Sequence, residues 1–249
     1  MSLRATAYAI GRALAGAAPD SVQRRLLKIR RLQSGIWHLP EQRIVYVVIP
    51  KVATRSVLAA LTTFAAGEET VERGGSRAAV TEALNRYQRG AFPPEIRRLA
   101  RTCFTFAFVR NPLDRLLSAY TQQMAAIETQ KTIFRQHDIP FDVSFSGFVE
   151  AIASIPDEGC DHHVRSQHSF IADGDGLMVE YLGRFERLEE DWKALVDRFG
   201  FPALPRRHAS SHAPYTEAYT PALARLAAER YSRDIELLGY EEEVARLTR

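Results

Sequence analysis

Apolar residues along the chain form two runs that predict buried β-strands, and each run leads into a helical pattern. Residues 44–49 (IVYVVI) are consecutive apolar residues rich in β-branched side chains, which is typical of a strand covered on both faces of a parallel sheet. Residues 102–110 (TCFTFAFVR) form a second strand of the same kind. Pro50 ends the first strand, and an apolar helical face begins within residues 57–61. Both segments are therefore predicted to be strand–loop–helix units.

Helical spacing recurs in the second half of the chain. Residues 111–124 predict a helix with Asn111 as its N-cap and Pro112 as its first residue. The Asp-Gly-Asp-Gly stretch at 173–176 predicts a turn between two short β-like runs, whereas residues 65–100 are interpreted as irregular. Further helices are predicted at 145–152, at 188–199 and at 220–239, the last opening with Thr220 and Pro221 and closing at Gly239. This order predicts an α/β fold with a central, mainly parallel β-sheet flanked by helices.

The chain is long enough for one sizeable core and has no internal repeat. It contains 249 residues, of which 46% are hydrophobic and 25% are charged, as is ordinary for one α/β domain. Residues 1–34 hold seven basic residues and one acidic residue, although the whole chain carries only +3. We predict a basic N-terminal helical arm over residues 1–34 and one domain over residues 35–249. The arm could lie on an anionic membrane surface, and a solvated basic helix is the alternative.

Cysteine content and hydropathy favour a cytoplasmic protein. Cys103 and Cys160 form neither a disulfide framework nor a metal-ligand spacing, which indicates a reducing compartment and no metal site. No run approaches the ~20 uninterrupted apolar residues that cross a bilayer, so any membrane contact is expected to be peripheral. Aromatic and basic residues are not interleaved in a recognised pattern, and we expect no nucleic-acid partner.

The loop after the first strand has the residues of an anion-binding site. In residues 50–56 (PKVATRS), Lys51 supplies a positive charge and small Ala53 permits close approach of the backbone. Thr54 and Ser56 add hydroxyl groups, and the helix start adds unpaired N–H groups and its positive dipole end. The loop is not a Walker A motif, because Lys51 comes first and glycine is absent. A surface loop with a solvated lysine is the alternative.

The loop after the second strand carries another cation. Arg110 lies at the carboxyl end of that strand, where parallel sheets bind ligands, and its planar fork suits a phosphate group. Ser118 follows one turn beyond Asp114 in the next helix. Taken alone, Arg110 is equally consistent with an ion pair inside the domain. Two anion-binding loops in one chain together predict a ligand with two separated anionic groups.

Both loops resemble the two nucleotide-binding motifs of the sulfotransferases. The matching stretches are IPKVATRS (49–56) and FVRNPLDRLLSAY (108–120), and the similarity continues in HHVRSQHSF (162–170) and YLGRFERLEEDW (181–192). The pattern is most similar to that of the carbohydrate sulfotransferase family that contains the chondroitin, dermatan and HNK-1 sulfotransferases. The resemblance implies a P-loop-like sandwich and an enzyme that depends on PAPS (3′-phosphoadenosine 5′-phosphosulfate).

The resemblance also implies a role for each loop. Arg110 and Ser118 would bind the 3′-phosphate of PAPS and of its product, adenosine 3′,5′-bisphosphate. Lys51 would stabilise the leaving phosphate while the sulfuryl group passes to a hydroxyl group of a carbohydrate. The 5′-phosphosulfate would lie against the first loop, whose predicted binding residues are Lys51, Val52, Ala53, Thr54, Arg55 and Ser56.

The acceptor hydroxyl group needs a base, and histidine suits that role near neutral pH. His163 aligns with the histidine of the family's H-W-x-P-Q segment and is the predicted catalytic base. Other residues with suitable chemistry are the alternative bases His162, Asp161 and Glu186 and the acceptor-orienting candidates Arg165 and Gln167.

The predicted acceptor is a carbohydrate, which can itself be acidic. A group of arginines could attract a polyanionic glycan, with a solvated surface as the alternative. This group comprises Arg86, Arg89, Arg97, Arg98, Arg101, Arg206 and Arg207. Two other functions stay open from the sequence. One is a nucleotide-dependent kinase, against which the missing Walker glycines count, and the other is a non-catalytic glycan- or nucleotide-binding module.

Overall fold

The computed structural model describes residues 33–66, 83, 85–174, 176–205 and 214–249. The predicted basic arm of residues 1–34 lies outside this part except for its last two residues, and Arg206 and Arg207 of the predicted arginine group lie outside it too. Within the described residues, no helix has both the length and the apolar character needed to cross a bilayer.

A central five-stranded sheet organises the fold. Its strands are β1 Ser34–Leu39, β2 Ile44–Val48, β3 Gln88–Ala91, β4 Phe104–Val109 and β7 Tyr181–Arg184, and β5 Ala172–Asp173 and β6 Gly176–Leu177 form a separate hairpin. The strand order is β3-β1-β2-β4-β7. β4 pairs in parallel with β2 and with β7, while β1 is antiparallel to β2 and β3. The sheet therefore has a parallel part and an antiparallel edge.

The parallel strands are buried, as their apolar runs predict. Every residue of β4 and the first four residues of β2 are buried. Phe106 of β4 stacks on Tyr46 of β2, with 5.0 Å between the ring centroids. Because β2 and β4 are neighbours that run in the same direction, the loops that follow them meet at the same edge of the sheet.

Helices follow the strands and flank the sheet, which confirms the predicted α/β class. α1 Thr54–Ala66 follows β2, α3 Pro112–Ala125 follows β4, and α7 Leu188–Phe199 follows β7. The other α-helices named within the described ranges are α2 Pro93–Ala100, α4 Thr132–Gln136, α5 Phe145–Ala153, α6 His168–Ile171, α8 Pro221–Arg230, α9 Ser232–Leu238 and α10 Glu241–Thr248.

Several predicted helix ends are confirmed, among them the close of the last predicted helix at Gly239. The side-chain oxygen of Asn111 accepts hydrogen bonds from two N–H groups in the first turn of α3. The Thr220 hydroxyl group accepts one from the Leu223 N–H at the start of α8. Gly200 ends α7 in the left-handed conformation, with φ 71°. These are the residue types that helix termini prefer.

Two predictions of secondary structure are wrong in part. Residues 88–100 are regular, because β3 pairs with β1 and the proline pair at 93–94 occupies the first turn of α2, where a missing N–H costs nothing. The helix predicted over 220–239 is divided at Tyr231 into α8 and α9. Tyr231 is buried, and its hydroxyl group donates to the Val164 carbonyl at 2.6 Å.

Candidate active site

The loop between β2 and α1 has a backbone suited to an anion. Lys51 (φ 73°) and Ala53 (φ 64°) adopt the left-handed region although neither is glycine, and such strain is found most often at functional sites. α1 begins where the Ala53 carbonyl accepts the N–H groups of Ser56 and Val57. In the described part of the chain, the N–H groups of residues 52–55 have no acceptor. They form a group of free donors at the start of a helix.

The side chains of this loop differ in whether they support the loop itself or are accessible to a ligand. The Thr54 hydroxyl group donates to the Ile49 carbonyl at 2.5 Å, so its proton supports the loop itself. Val52 is fully buried, whereas Arg55 is exposed and Ser56 is half-buried. Val52 and Thr54 can therefore donate to an oxyanion only through their backbone N–H groups.

Lys51 is half-buried and its side chain is held by α3. Its Nζ donates to Gln122 Oε1 of α3 at 2.9 Å. Burial lowers the pKa of Lys51 to about 8, and three positive charges add to this effect, those of Arg110, Arg55 and Arg115. The surrounding positive charges favour binding of an anion. The negative charge of a bound anion would in turn favour the protonated form of Lys51.

Arg110 joins the second loop to the first. It is only 5% exposed, and its Nε and Nη2 donate to the two carboxylate oxygens of Asp114 at 2.7 Å and 2.9 Å. Its Nη1 donates to the Lys51 carbonyl at 3.3 Å, and the guanidinium group lies 4.0 Å from the centre of the Phe185 ring. A guanidinium group has five N–H donors. The hydrogen bonds among the described residues thus leave two of them for a ligand.

Ser118 lies on the face of α3 that both loops contact. It is 5% exposed, and it stands one helical turn after Asp114 and one turn before Gln122, so the three side chains share a face. Asp114 binds Arg110 and Gln122 binds Lys51. The structure therefore gathers Lys51, Arg110 and Ser118 along one face of α3.

His163 is held by an adjacent carboxylate. Its backbone N–H and its Nδ1 both lie 2.8 Å from Asp161 Oδ1. Burial alone would raise the pKa of Asp161, but hydrogen bonds from His163 and the charge of His162 lower it to about 2. A charged carboxylate only accepts, so His163 Nδ1 is the donor in this hydrogen bond, and in the neutral form of the ring Nε2 is the acceptor. His162 is different, since its side chain is 60% exposed and its Nδ1 lies 3.8 Å from the carboxylate.

The same three residues have the chemistry of metal ligands. Asp161, His162 and His163 each offer a ligand atom, and these atoms lie within 4.8 Å of one another. A metal ion would compete with the hydrogen bonds that His163 already makes to Asp161. We therefore assign the carboxylate to orienting His163.

Comparison with known proteins decides the family. The model of the sulfotransferase family matches residues 34–241, which is more than half of the chain. The chain belongs to the sulfotransferase family. Carbohydrate sulfotransferase 14 of Danio rerio is 27% identical over 179 residues, which cover 65% of this chain and 47% of that protein. The chain thus spans about half the length of this relative. No solved structure matches the chain significantly. The family predicted from the two loops is confirmed.

In this sulfotransferase, Gln167 and Arg165 are too deeply buried to contact the acceptor, as their predicted role would require. Gln167 is fully buried, and its Oε1 accepts the Arg110 N–H at 3.0 Å while its Nε2 donates to the Arg110 carbonyl at 2.7 Å. Arg165 is also fully buried, with its guanidinium group 3.9 Å from the Phe170 ring centre. The prediction that they orient the acceptor is wrong. Gln167 instead fixes the backbone of Arg110.

Glu186 and Gln122 have supporting roles at the site that the sequence pattern did not indicate. The Glu186 carboxylate accepts the Asn111 N–H at 2.6 Å and the Tyr240 hydroxyl group at 3.1 Å, so it supports the start of α3 in this sulfotransferase. Gln122 was not among the predicted site residues. Its spacing of four residues from Ser118 was the available signal, because that spacing places two side chains on one helical face.

The predicted arginine group is largely paired with carboxylates. Arg97 Nε lies 2.7 Å from Asp173 Oδ2. The other pairs are Arg86 with Glu41, Arg89 with Glu95 and Arg98 with Glu95. These contacts neutralise part of the positive charge, which favours the alternative of an ordinary solvated surface for these four arginines.

Proposed function

We propose that this sulfotransferase transfers a sulfuryl group from PAPS to a hydroxyl group of a carbohydrate. Family membership supports the transfer of a sulfuryl group, and members of the family generally use PAPS as the donor. The matching relative is named as a carbohydrate sulfotransferase, which supports a carbohydrate as the acceptor class. The observation that carries the proposal is the contact between Arg110 and the Lys51 carbonyl, because it brings two anion-binding loops to one site.

The residues present fit a nucleotide with phosphate groups at both ends. The free N–H groups of residues 52–55 and the charge of Lys51 suit the 5′-phosphosulfate. The two remaining donors of Arg110 and the hydroxyl group of Ser118 suit the 3′-phosphate. PAPS would supply the sulfuryl group together with a phosphate that leaves readily.

Lys51 and His163 are the proposed catalytic residues. His163 Nε2 accepts the proton of the acceptor hydroxyl group as its oxygen bonds to sulfur, while Asp161 holds the ring through Nδ1. Lys51 stabilises the charge that develops on the phosphate oxygen as the bond between that oxygen and sulfur breaks. The backbone donors of residues 52–55 are fixed in place before the reaction, so they stabilise the same charge without reorganisation.

Transfer of label from PAPS tests this proposal. The chain is incubated with PAPS that carries labelled sulfate and with a panel of chondroitin, dermatan and glycolipid acceptors. We expect label in at least one acceptor and loss of that label in a Lys51→Ala variant. Tight binding of adenosine 3′,5′-bisphosphate with no transfer to any acceptor would indicate a binding module instead. Magnesium-dependent hydrolysis of ATP without sulfuryl transfer would indicate a kinase.

A further inference from the structure

Arg115 is a buried cation with three backbone partners. It is 1% exposed and lies in the first turns of α3. Its Nε donates to the Pro50 carbonyl at 2.9 Å, and its Nη1 donates to the Arg165 carbonyl at 2.8 Å. Its Nη2 donates to the His162 carbonyl at 3.2 Å. All three acceptors are carbonyl oxygens, which carry no net charge.

These partners connect the two halves of the proposed reaction site. Pro50 directly precedes Lys51, and His162 directly precedes His163. One planar guanidinium group therefore touches the loop of the leaving-group lysine and the segment of the histidine base. Because the guanidinium donors have fixed relative directions, the group sets the separation of the two backbones.

We propose that Arg115 is a positioning residue for sulfuryl transfer, holding Lys51 and His163 on opposite sides of the sulfur atom. This inference rests on the proposed function. In-line transfer needs the incoming oxygen and the leaving oxygen on opposite sides of the transferred group, so the base and the leaving-group cation must keep a fixed separation. Donor binding in the proposed function relies on the first loop, Arg110 and Ser118. Arg115 should therefore affect the rate of transfer and leave nucleotide affinity nearly unchanged.

The substitution Arg115→Lys separates these two effects. Lysine keeps the positive charge, but its single nitrogen cannot reach the three carbonyls with the geometry of a guanidinium group. We expect kcat to fall about 100-fold, since misplacement by about 1 Å can cost that much. The dissociation constant of adenosine 3′,5′-bisphosphate should change less than about threefold. Arg115→Gln, which avoids a buried lysine, should give the same split between kcat and affinity.

Arg43→Lys is the matched control for this experiment. Its Nε also donates to a backbone carbonyl, that of Thr102, but it precedes β2 at the end of the sheet away from the two loops. Its kcat and its nucleotide affinity should both equal those of the wild type. Rates are measured with labelled PAPS and the glycan that the wild type sulfates best, and affinities are measured by titration calorimetry with the bisphosphate.

Two results would overturn the inference while the proposed function stands. One is a kcat within about threefold of the wild type in both Arg115 variants. The other is a loss of activity in which the bisphosphate affinity falls by the same factor and the melting temperature falls as well. This result would make Arg115 a purely structural residue. A wild type that transfers no sulfuryl group to any glycan would remove the proposed function, and this inference with it.

Discussion

At the scale of single residues, Lys51 provides the positive charge on which anion binding by the first loop depends. Its pKa of about 8 means that it is protonated below that pH and neutral above it in the ligand-free protein. The affinity for adenosine 3′,5′-bisphosphate should therefore fall as the pH rises through 8, by up to about tenfold per pH unit. Titration calorimetry from about pH 7 to about pH 9.5 measures this dependence. Lys51→Met should bind more weakly at neutral pH and should show no such fall. A wild-type affinity that stays constant over this range would contradict the role of the charge.

The two adjacent histidines form a matched pair for testing the base. The His163 side chain is hydrogen-bonded to Asp161 and is 27% exposed, whereas that of His162 is 60% exposed. His163→Ala should reduce kcat by about 100-fold, because general base catalysis is worth at least that much. His162→Ala should stay within about threefold of the wild type. The assignment to His163 would be wrong if both variants lost activity equally in the labelled-PAPS assay.

At the scale of helices and strands, the contact of β7 with β4 leaves no room for a side chain at Gly183. A Cβ atom at this position would overlap the Phe108 ring. Gly183→Ala should therefore lower the free energy of unfolding by about 1–3 kcal/mol, the usual cost of overpacking. Urea denaturation measures the change.

A second glycine serves as the control for this prediction. Among the described residues, a Cβ at Gly176 would meet only the Asp173 carbonyl oxygen, at 3.9 Å. Gly176→Ala should change the free energy of unfolding by less than about 0.5 kcal/mol. Equal destabilisation by the two substitutions would mean that the approach of β7 to β4 is not the cause.

The elements that the sequence predicted best are those whose burial is encoded locally. β2 and β4 are continuous apolar runs, and α3 carries both its N-cap and its first proline in the sequence. β3 has no such signal, because three of its four residues are exposed or half-buried. It becomes a strand only by pairing with β1, and the apolar pattern of one segment does not encode pairing between segments.

The site was predictable only as far as each loop carries its own chemistry. Lys51 and Arg110 stand out because each follows a buried strand. The contacts that hold them were not predictable, since Lys51 meets Gln122 across 71 residues of sequence and Arg110 meets Gln167 across 57. Arg115 was missed for the same reason, because its three carbonyl partners come from two segments distant from it in the sequence.

At the scale of the whole molecule, the parallel part of the sheet brings three separate segments to one edge. The loop after β2, the start of α3 and the histidine segment are linked there by Arg110, Arg115 and Gln167. Each of these links is a hydrogen bond from a buried side chain to the backbone, and such bonds are costly to break. We therefore expect the site to be formed before a ligand binds.

The central claim is that the two loops bind opposite ends of one nucleotide. Titration calorimetry with adenosine 3′,5′-bisphosphate and with adenosine 5′-monophosphate tests it most directly, in the wild type and in Arg110→Ala. The double variant Arg110→Ala/Asp114→Ala controls for a carboxylate left unpaired. The wild type should prefer the bisphosphate by about 10- to 100-fold, the value of charge-assisted hydrogen bonds to one phosphate group, and both variants should lose this preference. Equal wild-type affinity for the two nucleotides, or an unchanged preference without Arg110, would contradict the account.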